Sequence, residues 1–247
     1  TVMLNRIDIN ADLGEGSPYD AQLMPLISSC SIACGGHFGN ETTMGTAVQL
    51  AKEHKVKIGV HPSFPDIENF GRKVLPMTKN ELSESVFQQL IRFYAVCESE
   101  DVPVHHIKLH GALYNYAAID APTADAVLEG ILAAQIRPKL YVPYGSVLAK
   151  KAKNLLLLEY EAFIDRKYND DLSLVPRIEK DAVICTSDGA WDQLRLMSEN
   201  QLVKTKQLNN MSIKASTYCI HSDTSNVVEI LSYIREQMKI HHIGLVE

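Results

Sequence analysis

Three short apolar runs in this chain end in a histidine followed by residues that stop a strand. Residues 56–60 run into His61 and Pro62; 107–109, ending a strand predicted over 104–109, into His110 and Gly111; and 218–220, ending a strand predicted over 211–220, into His221, Ser222 and Asp223. A fourth run, residues 3–11, carries Asn10 and leads into Asp12. Proline fixes φ and lacks an amide hydrogen, so the ladder cannot continue past His61. One histidine in such a place is ordinarily a structural hydrogen-bonder, and it is the repetition that constrains the fold. Strands that each deliver polar side chains at their carboxyl ends describe a parallel α/β barrel with a site on its C-terminal face.

The rest of the chain keeps that rhythm. Further strands are predicted over 30–34, 139–142 and 155–164, with helices over 18–27, 41–54, 78–97, 124–136, 145–152, 188–202 and 226–238. Strand and helix alternate about seven times without repeat, linker or low-complexity segment, which predicts one (β/α) barrel domain over residues 1–247. Asp12 to Gly16 forms an acidic, glycine-punctuated loop that includes Glu15. Gly35, Gly36 and Gly39 surround His37, where the backbone is free to approach a ligand. Phe70 to Lys73 offers Arg72 for an anion or for a solvated charge pair. Lys108 lies two residues before His110, so both face the barrel interior. An inward lysine is costly unless it meets an anion, so its partner is a carboxylate or a substrate. His105 and His106, at the other end of that strand, read as surface or packing residues, and Trp191 as packing. The polar stretch 169–180 is long enough to be functional or mobile.

A formal charge of −6 argues against nucleic acid or an anionic membrane surface as partner. No apolar run approaches the roughly 20 residues that span a bilayer. The first residues show no basic-then-apolar leader pattern. Five cysteines, without a CxxC, read as buried thiols of a reducing compartment, so a cytoplasmic location is expected.

Imidazoles, carboxylates and cations gathered at one rim serve either of two chemistries. They bind a divalent metal that acidifies water, or they act directly as general acid and base. With no HExxH and no paired histidines on one helix, spacing leaves both open. The arginines point to a small molecule carrying carboxylate or phosphate. Neither a P-loop nor a GxGxxG after a strand is present.

Taken together, the segments IDINADLGEG (7–16), SIACGGHFGN (31–40), IGVHPSFPD (58–66), FGRK (70–73), HIKLHGALYN (106–115), EAFIDRKYNDDLSLVPR (161–177) and YCIHSD (218–223) resemble the LamB/YcsF family over nearly the whole chain. The resemblance implies a distorted, TIM-like, seven-stranded barrel of the glycoside hydrolase/deacetylase type. It also implies a hydrolase of cyclic amide C–N bonds, an ATP-dependent 5-oxoprolinase that converts 5-oxo-L-proline (pyroglutamate) to L-glutamate. ATP would be co-substrate of a complex with partner subunits B and C, with homo-oligomerisation left open. Carried over by position, Asp12, His61, Lys108 and His110 are the catalytic candidates. Asp12 or His61 would be the general base. Glu15, Arg72, Asn115, Arg166, Arg177 and Asp223 are the substrate-binding candidates, Asp165 accompanies them, and His37, His61 and His221 are the metal candidates. Two departures fall in site loops: the family's ACGFHAGDP stands where Ala33 to Asn40 read ACGGHFGN here, and its CVHGDNP where Cys219 to Ser225 read CIHSDTS, which lacks the glycine and the proline. The alternative is a stand-alone metal-dependent deacetylase or carbohydrate-processing hydrolase of the same barrel class, and a non-catalytic binding protein of the complex is a third reading.

Overall fold

A computed structural model describes residues 5–247. In chain order the elements are β1 (Asn5–Leu13), α1 (Asp20–Leu23), β2 (Ser29–Ala33), α2 (Glu41–Glu53), β3 (Lys57–His61), α3 (Lys79–Ser99), β4 (His106–Lys108), α4 (Gly111–Ala117) and α5 (Ala121–Ala133). They continue with β5 (Lys139–Pro143), α6 (Val147–Ala152), β6 (Leu158–Phe163), α7 (Ser187–Asn200), β7 (Leu202–Lys204), β8 (Asn210–Ser212), β9 (Thr217–Cys219), α8 (Val227–Ile240) and β10 (Ile243–Leu245). Strands β1 to β6 pair in order, all parallel. β9 bridges β6 and β1 and so closes a seven-stranded barrel of the expected class. β10 extends the sheet along β1, opposite Asn5 to Ile7.

Side chains alternate across each strand, and here the two faces differ sharply in polarity. Outward residues such as Ile9, Ile32, Val60, Ile107 and Leu140 form the core with Val48, Leu90, Phe93 and Val127 of the helices. The barrel interior is polar. At one end Asp8 accepts from Ser28, Ser29, Thr217 and Tyr141. Next, His106 bonds Ser31 and stacks on Tyr141 with centroids 3.9 Å apart. Lys108, Asn10, Asp12 and Glu161 follow towards the carboxyl ends of the strands. The Thr78–Glu81 capping box starts α3 where the sequence indicates.

Several boundaries differ from expectation. Met3 and Leu4, placed in the first strand, lie outside the described residues. The strand expected over 211–220 is divided: Asn210–Ser212 turns back on Leu202–Lys204 as an antiparallel hairpin, and only Thr217–Cys219 enters the barrel. A stretch without a turn signal does not reveal that its two halves pair with different partners. The motif after His110 is a helix, because Gly111 at φ +55° turns the chain directly into α4. β10 was not anticipated, being only three residues long. His106 is wholly buried inside the barrel, which makes it a packing and not a surface residue.

Gly59 is fixed by that same ring. A Cβ there would lie 2.2 Å from His106 Nε2, and the ring cannot swing away from Ser31 and Tyr141. Gly59→Ala is expected to destabilise the fold by about 1–3 kcal/mol. Urea unfolding checks this, and an unchanged midpoint would contradict the constraint.

Candidate active site

The carboxyl ends of the barrel strands surround a cavity of about 600 Å³. Asp12, Glu15, His61, Arg72, Lys108, His110, Asn115, Arg166, Arg177, His221 and Asp223 all line it, so eleven of the twelve residues expected to catalyse, bind substrate or hold metal share one mouth. The twelfth, His37, is buried behind His110, with the two rings stacked at 3.6 Å. A cavity of about 380 Å³ at the opposite mouth is lined by groups already paired with one another, among them Asp8 with Thr217 and Lys139 with Glu159.

Lys108 occupies the centre. Its ammonium lies 2.8 Å from Asp12 Oδ1, 2.9 Å from Glu161 Oε2, 3.1 Å from Asn10 Oδ1 and 3.0 Å from Cys219 Sγ. Burial alone would favour the neutral amine, but the Asp12 and Glu161 charges outweigh it and hold Lys108 protonated well above its ordinary range. The Asp12 carboxyl feels the reverse. Burial would raise it, while His61 and Lys108 hold it well below the usual carboxylate range. Burial keeps the Cys219 thiol protonated, only partly offset by Lys108.

A second group hangs on Glu15. Its Oε1 is 2.7 Å from His37 Nε2, 3.4 Å from His110 Nδ1 and 3.7 Å from His61 Nε2. Burial raises the Glu15 carboxyl above its ordinary range. Burial and the His61 charge push His37 down to about 2 and His110 down to about 3. His61 moves the other way: burial opposes its charge, but Asp12 and Glu15 raise it. His61 Nδ1 donates to the Lys108 carbonyl and His110 Nε2 to the Phe70 carbonyl, both at 2.8 Å.

The third group forms the rim. Asp165 is buried and holds His221 through Nδ1 at 3.1 Å and through the backbone amide at 2.9 Å. Asp223 bridges Arg72 at 2.6 Å and Arg177 at 3.2 Å, tying three loops together. Arg166 is buried, donates from Nη2 to the Val175 carbonyl, leaves Nε without a partner and forms no ion pair among the described residues. Asn115 donates its amide to the Gly111 carbonyl.

Several sequence candidates take positions other than those expected. Of the two partners expected for Lys108, a carboxylate or a substrate, it meets the first, in Asp12 and Glu161. Glu15 sits among histidines and not with the arginines. His221 lies apart from His37 and His61, on the side of Asp12 and Cys219. Glu161 and Cys219 are not among the candidates the sequence offers. Glu161 was legible in principle, since a mid-strand acid is the natural partner of a mid-strand lysine.

Two sets of side chains offer closely spaced metal donors: Glu15, His37, His61 and His110, and separately Asp12, Cys219 and His221. In the first set His37 and His110 are parallel within 6° and 3.6 Å apart. An ion lies in the plane of each imidazole it binds, and no point lies in two parallel planes, so the four cannot share one ion as arranged. In the second set the Lys108 ammonium already contacts Asp12 and Cys219. Glu15 and His61 with only one of the two stacked rings still make a three-donor set of the kind that holds a catalytic ion, so the same groups are fit for proton transfer or for one metal ion.

Removing the central charge should be costly. Lys108→Met leaves Glu161 buried without a cation and Asp12 answered by His61 alone, a loss of about 3–5 kcal/mol near neutral pH. In the parent, Asp12 has a depressed pKa, so its contribution is present above the unfolded value and lost as pH falls through the folded one. In the variant the Lys108 charge no longer holds the Asp12 carboxyl down and only His61 opposes its burial, so the deficit relative to the parent shrinks on acidification. Urea unfolding of both proteins at pH 7.5 and 5 measures the two slopes.

The profile of the LamB/YcsF family matches residues 7–247. A protein named as the A subunit of 5-oxoprolinase, from Haemophilus influenzae (strain PittEE), is 37% identical over 243 residues, covering 98% of this chain and 99% of that protein. The crystal structure of a lactam utilization protein from Thermus thermophilus superposes with a TM-score of 0.89 at 32% identity, covering 97% of this chain and 98% of that one. A family 4 carbohydrate esterase from Streptomyces lividans shares the fold alone, with a TM-score of 0.51 at 7% identity over 100% of this chain and 94% of its own. Matched along almost its whole length and built on the same barrel, the chain belongs to the LamB/YcsF family.

Proposed function

We propose that the chain is the A subunit of an ATP-dependent 5-oxoprolinase, opening the lactam C–N bond of 5-oxo-L-proline to give L-glutamate. It would act with partner subunits B and C, and ATP would be co-substrate of the assembly. Full-length similarity to a protein named as the A subunit of 5-oxoprolinase and to a lactam utilization protein supports the reading. The observation that carries its chemistry is the buried Arg166 guanidinium, which has no ion-pair partner among the described residues and opens on a cavity of proton-transfer groups. A buried cation of this kind calls for an anion, and the carboxylate of 5-oxoproline would supply it.

A lactam is a resonance-stabilised amide that water attacks very slowly. Phosphoryl transfer to the lactam oxygen would make the ring carbon electrophilic. Water then adds, the C–N pair leaves on nitrogen with a proton, and a second water releases phosphate. Asp12, held between Lys108 and His61, is too weak a base to activate that water. Glu15, whose carboxyl burial raises, is better matched to the task. The base role expected at Asp12 or His61 is reassigned accordingly. Lys108 would act by fixing Asp12 and not by gripping substrate, because its donors are already engaged. Arg166, with Arg177 nearby, would hold the substrate carboxylate.

Glutamate formation from 5-oxoproline and ATP, measured with this chain alone and then with the partner subunits, tests the reading. Turnover only in the assembly is expected. His61→Ala and His110→Ala should each reduce it by about 100-fold or more while the proteins remain folded, and full activity of both would refute the site. Arg166→Met should raise KM for 5-oxoproline by about tenfold or more, with a smaller change in kcat. Metal-dependent acetyl release without ATP would instead favour the deacetylase reading.

A further inference from the structure

The arginines of the mouth are held in two different ways. Arg166 is buried and forms no ion pair among the described residues. Arg72 and Arg177 come from separate loops to one carboxylate, Asp223, at 2.6 Å and 3.2 Å. Their side chains keep 48% and 31% of their surface exposed, and that of Asp223 keeps 43%. Pairs so exposed add little to stability, and another anion can take the place of the carboxylate. Asp223 also answers only one of the two guanidinium charges, which leaves the bridge cationic.

Each partner has support besides the bridge. The Arg72 guanidinium lies over the Phe70 ring, 5.2 Å from its centroid. Arg166 Nη2 fixes the Val175 carbonyl, two residues before Arg177. Buried Asp165 accepts from the His221 amide and the Thr224 hydroxyl, which anchors the loop on both sides of Asp223. The Asp223 side chain can therefore turn away without carrying its loop along. Arg72 and Asp223 also border a second cavity, of about 370 Å³, beside Glu15, Phe70 and Ser222. The bridge stands where two cavities meet, whereas Arg166 lines the first and not the second.

We propose that Arg72 and Arg177 form a phosphoryl-binding site in this mouth, with Asp223 as its placeholder. The proposal rests on the function given above. 5-Oxoproline carries one anion, its carboxylate. Once the γ-phosphoryl group of ATP is on the lactam oxygen, a doubly charged anion stands across the ring nitrogen from that carboxylate. One buried guanidinium suits the carboxylate, and two suit the phosphoryl oxygens. The dianion displaces Asp223, a monoanion, from the same pair of cations.

The phosphoryl group stays there while water adds to the ring carbon. The C–N electron pair leaves on nitrogen, which takes both protons of that water. A second water then attacks the acyl phosphate, and the C–O electron pair leaves with phosphate. One proton of that water stays on phosphate and the other passes to solvent. The second cavity gives phosphate a way out past Arg72, and Asp223 returns to the arginines.

Inorganic phosphate, titrated into the chain alone and followed by ³¹P line broadening, tests the site. Asp223→Asn removes the competitor and should tighten phosphate binding by about threefold or more, whereas Arg72→Met should weaken it by about tenfold or more. A merely structural bridge would move both variants in the same direction. Weaker or undetectable binding in Asp223→Asn therefore overturns the proposal, as does binding that neither variant alters. 5-Oxoproline and phosphate should bind together, and mutual exclusion would mean that the rim arginines take the carboxylate, which also overturns it. In the assembled enzyme Arg72→Met should lower kcat by about tenfold or more and change KM for 5-oxoproline by less than about threefold, the reverse of Arg166→Met. An unchanged kcat counts against the site. If the assembly forms no glutamate, the functional reading fails, while the phosphate titration still decides whether the bridge is an anion site.

Discussion

A single ammonium sets the terms for the interior of this barrel. Lys108 is buried among Asp12, Glu161, Asn10 and Cys219, contributed by strands that stand on different sides of the ring. Its charge is tolerable only because two carboxylates answer it, and theirs only because it is there. The usual apolar filling of a barrel is replaced by hydrogen-bonded polar residues from Asp8 to Asp12, while the apolar core lies outside, between sheet and helices. The polar interior costs stability relative to a packed apolar one. What it provides is a set of charges whose positions do not relax.

Those fixed charges propagate outward. Asp12 is kept ionised by Lys108 and in turn faces His61. The Lys108 backbone carbonyl orients the same imidazole from its other side. One residue thus contributes to His61 twice, by charge and by geometry. His110 is oriented by the carbonyl of Phe70, whose φ of +54° is a left-handed conformation that a bulky side chain rarely adopts. Gly71 beside it leaves no room for a Cβ, which would lie 2.9 Å from His37 Cβ and 3.0 Å from His110 Cδ2. Strain in this turn and the position of the histidine stack are two sides of one arrangement.

Much of this was legible in the sequence. Repeated strand-end histidines gave the barrel and the shared mouth, because proline and glycine stop a strand wherever they fall. Lys108 could be read as inward and in need of an anion from strand periodicity alone. Glu161, a mid-strand acid, was a candidate for that anion, but choosing it requires knowing that β4 and β6 flank β5 and turn both side chains into the same interior. The split of 211–220 escaped for a similar reason: apolar character marks burial, not the partner. The separation of His221 from His37 and His61 depends on side-chain directions that spacing does not encode. Arg166 looked like any other loop arginine, and only its burial and its lack of an ion pair among the described residues distinguish it from Arg72 and Arg177, which both pair with Asp223.

The seam where β9 meets β1 has a further meaning for how the molecule comes into being. Thr217 bonds Asp8 across 209 positions of sequence, and the Cys219 contact to Lys108, spanning 111, needs a residue made later still. While the chain is being synthesised, the early strands have no lasting shelter for their carboxylates and amides, since the ring that encloses them is still incomplete. Helices outside the sheet are free to form locally, but the charged interior assembles only near the end of translation. Such a topology folds slowly, in one closing event, and depends on protection of its open edges until then.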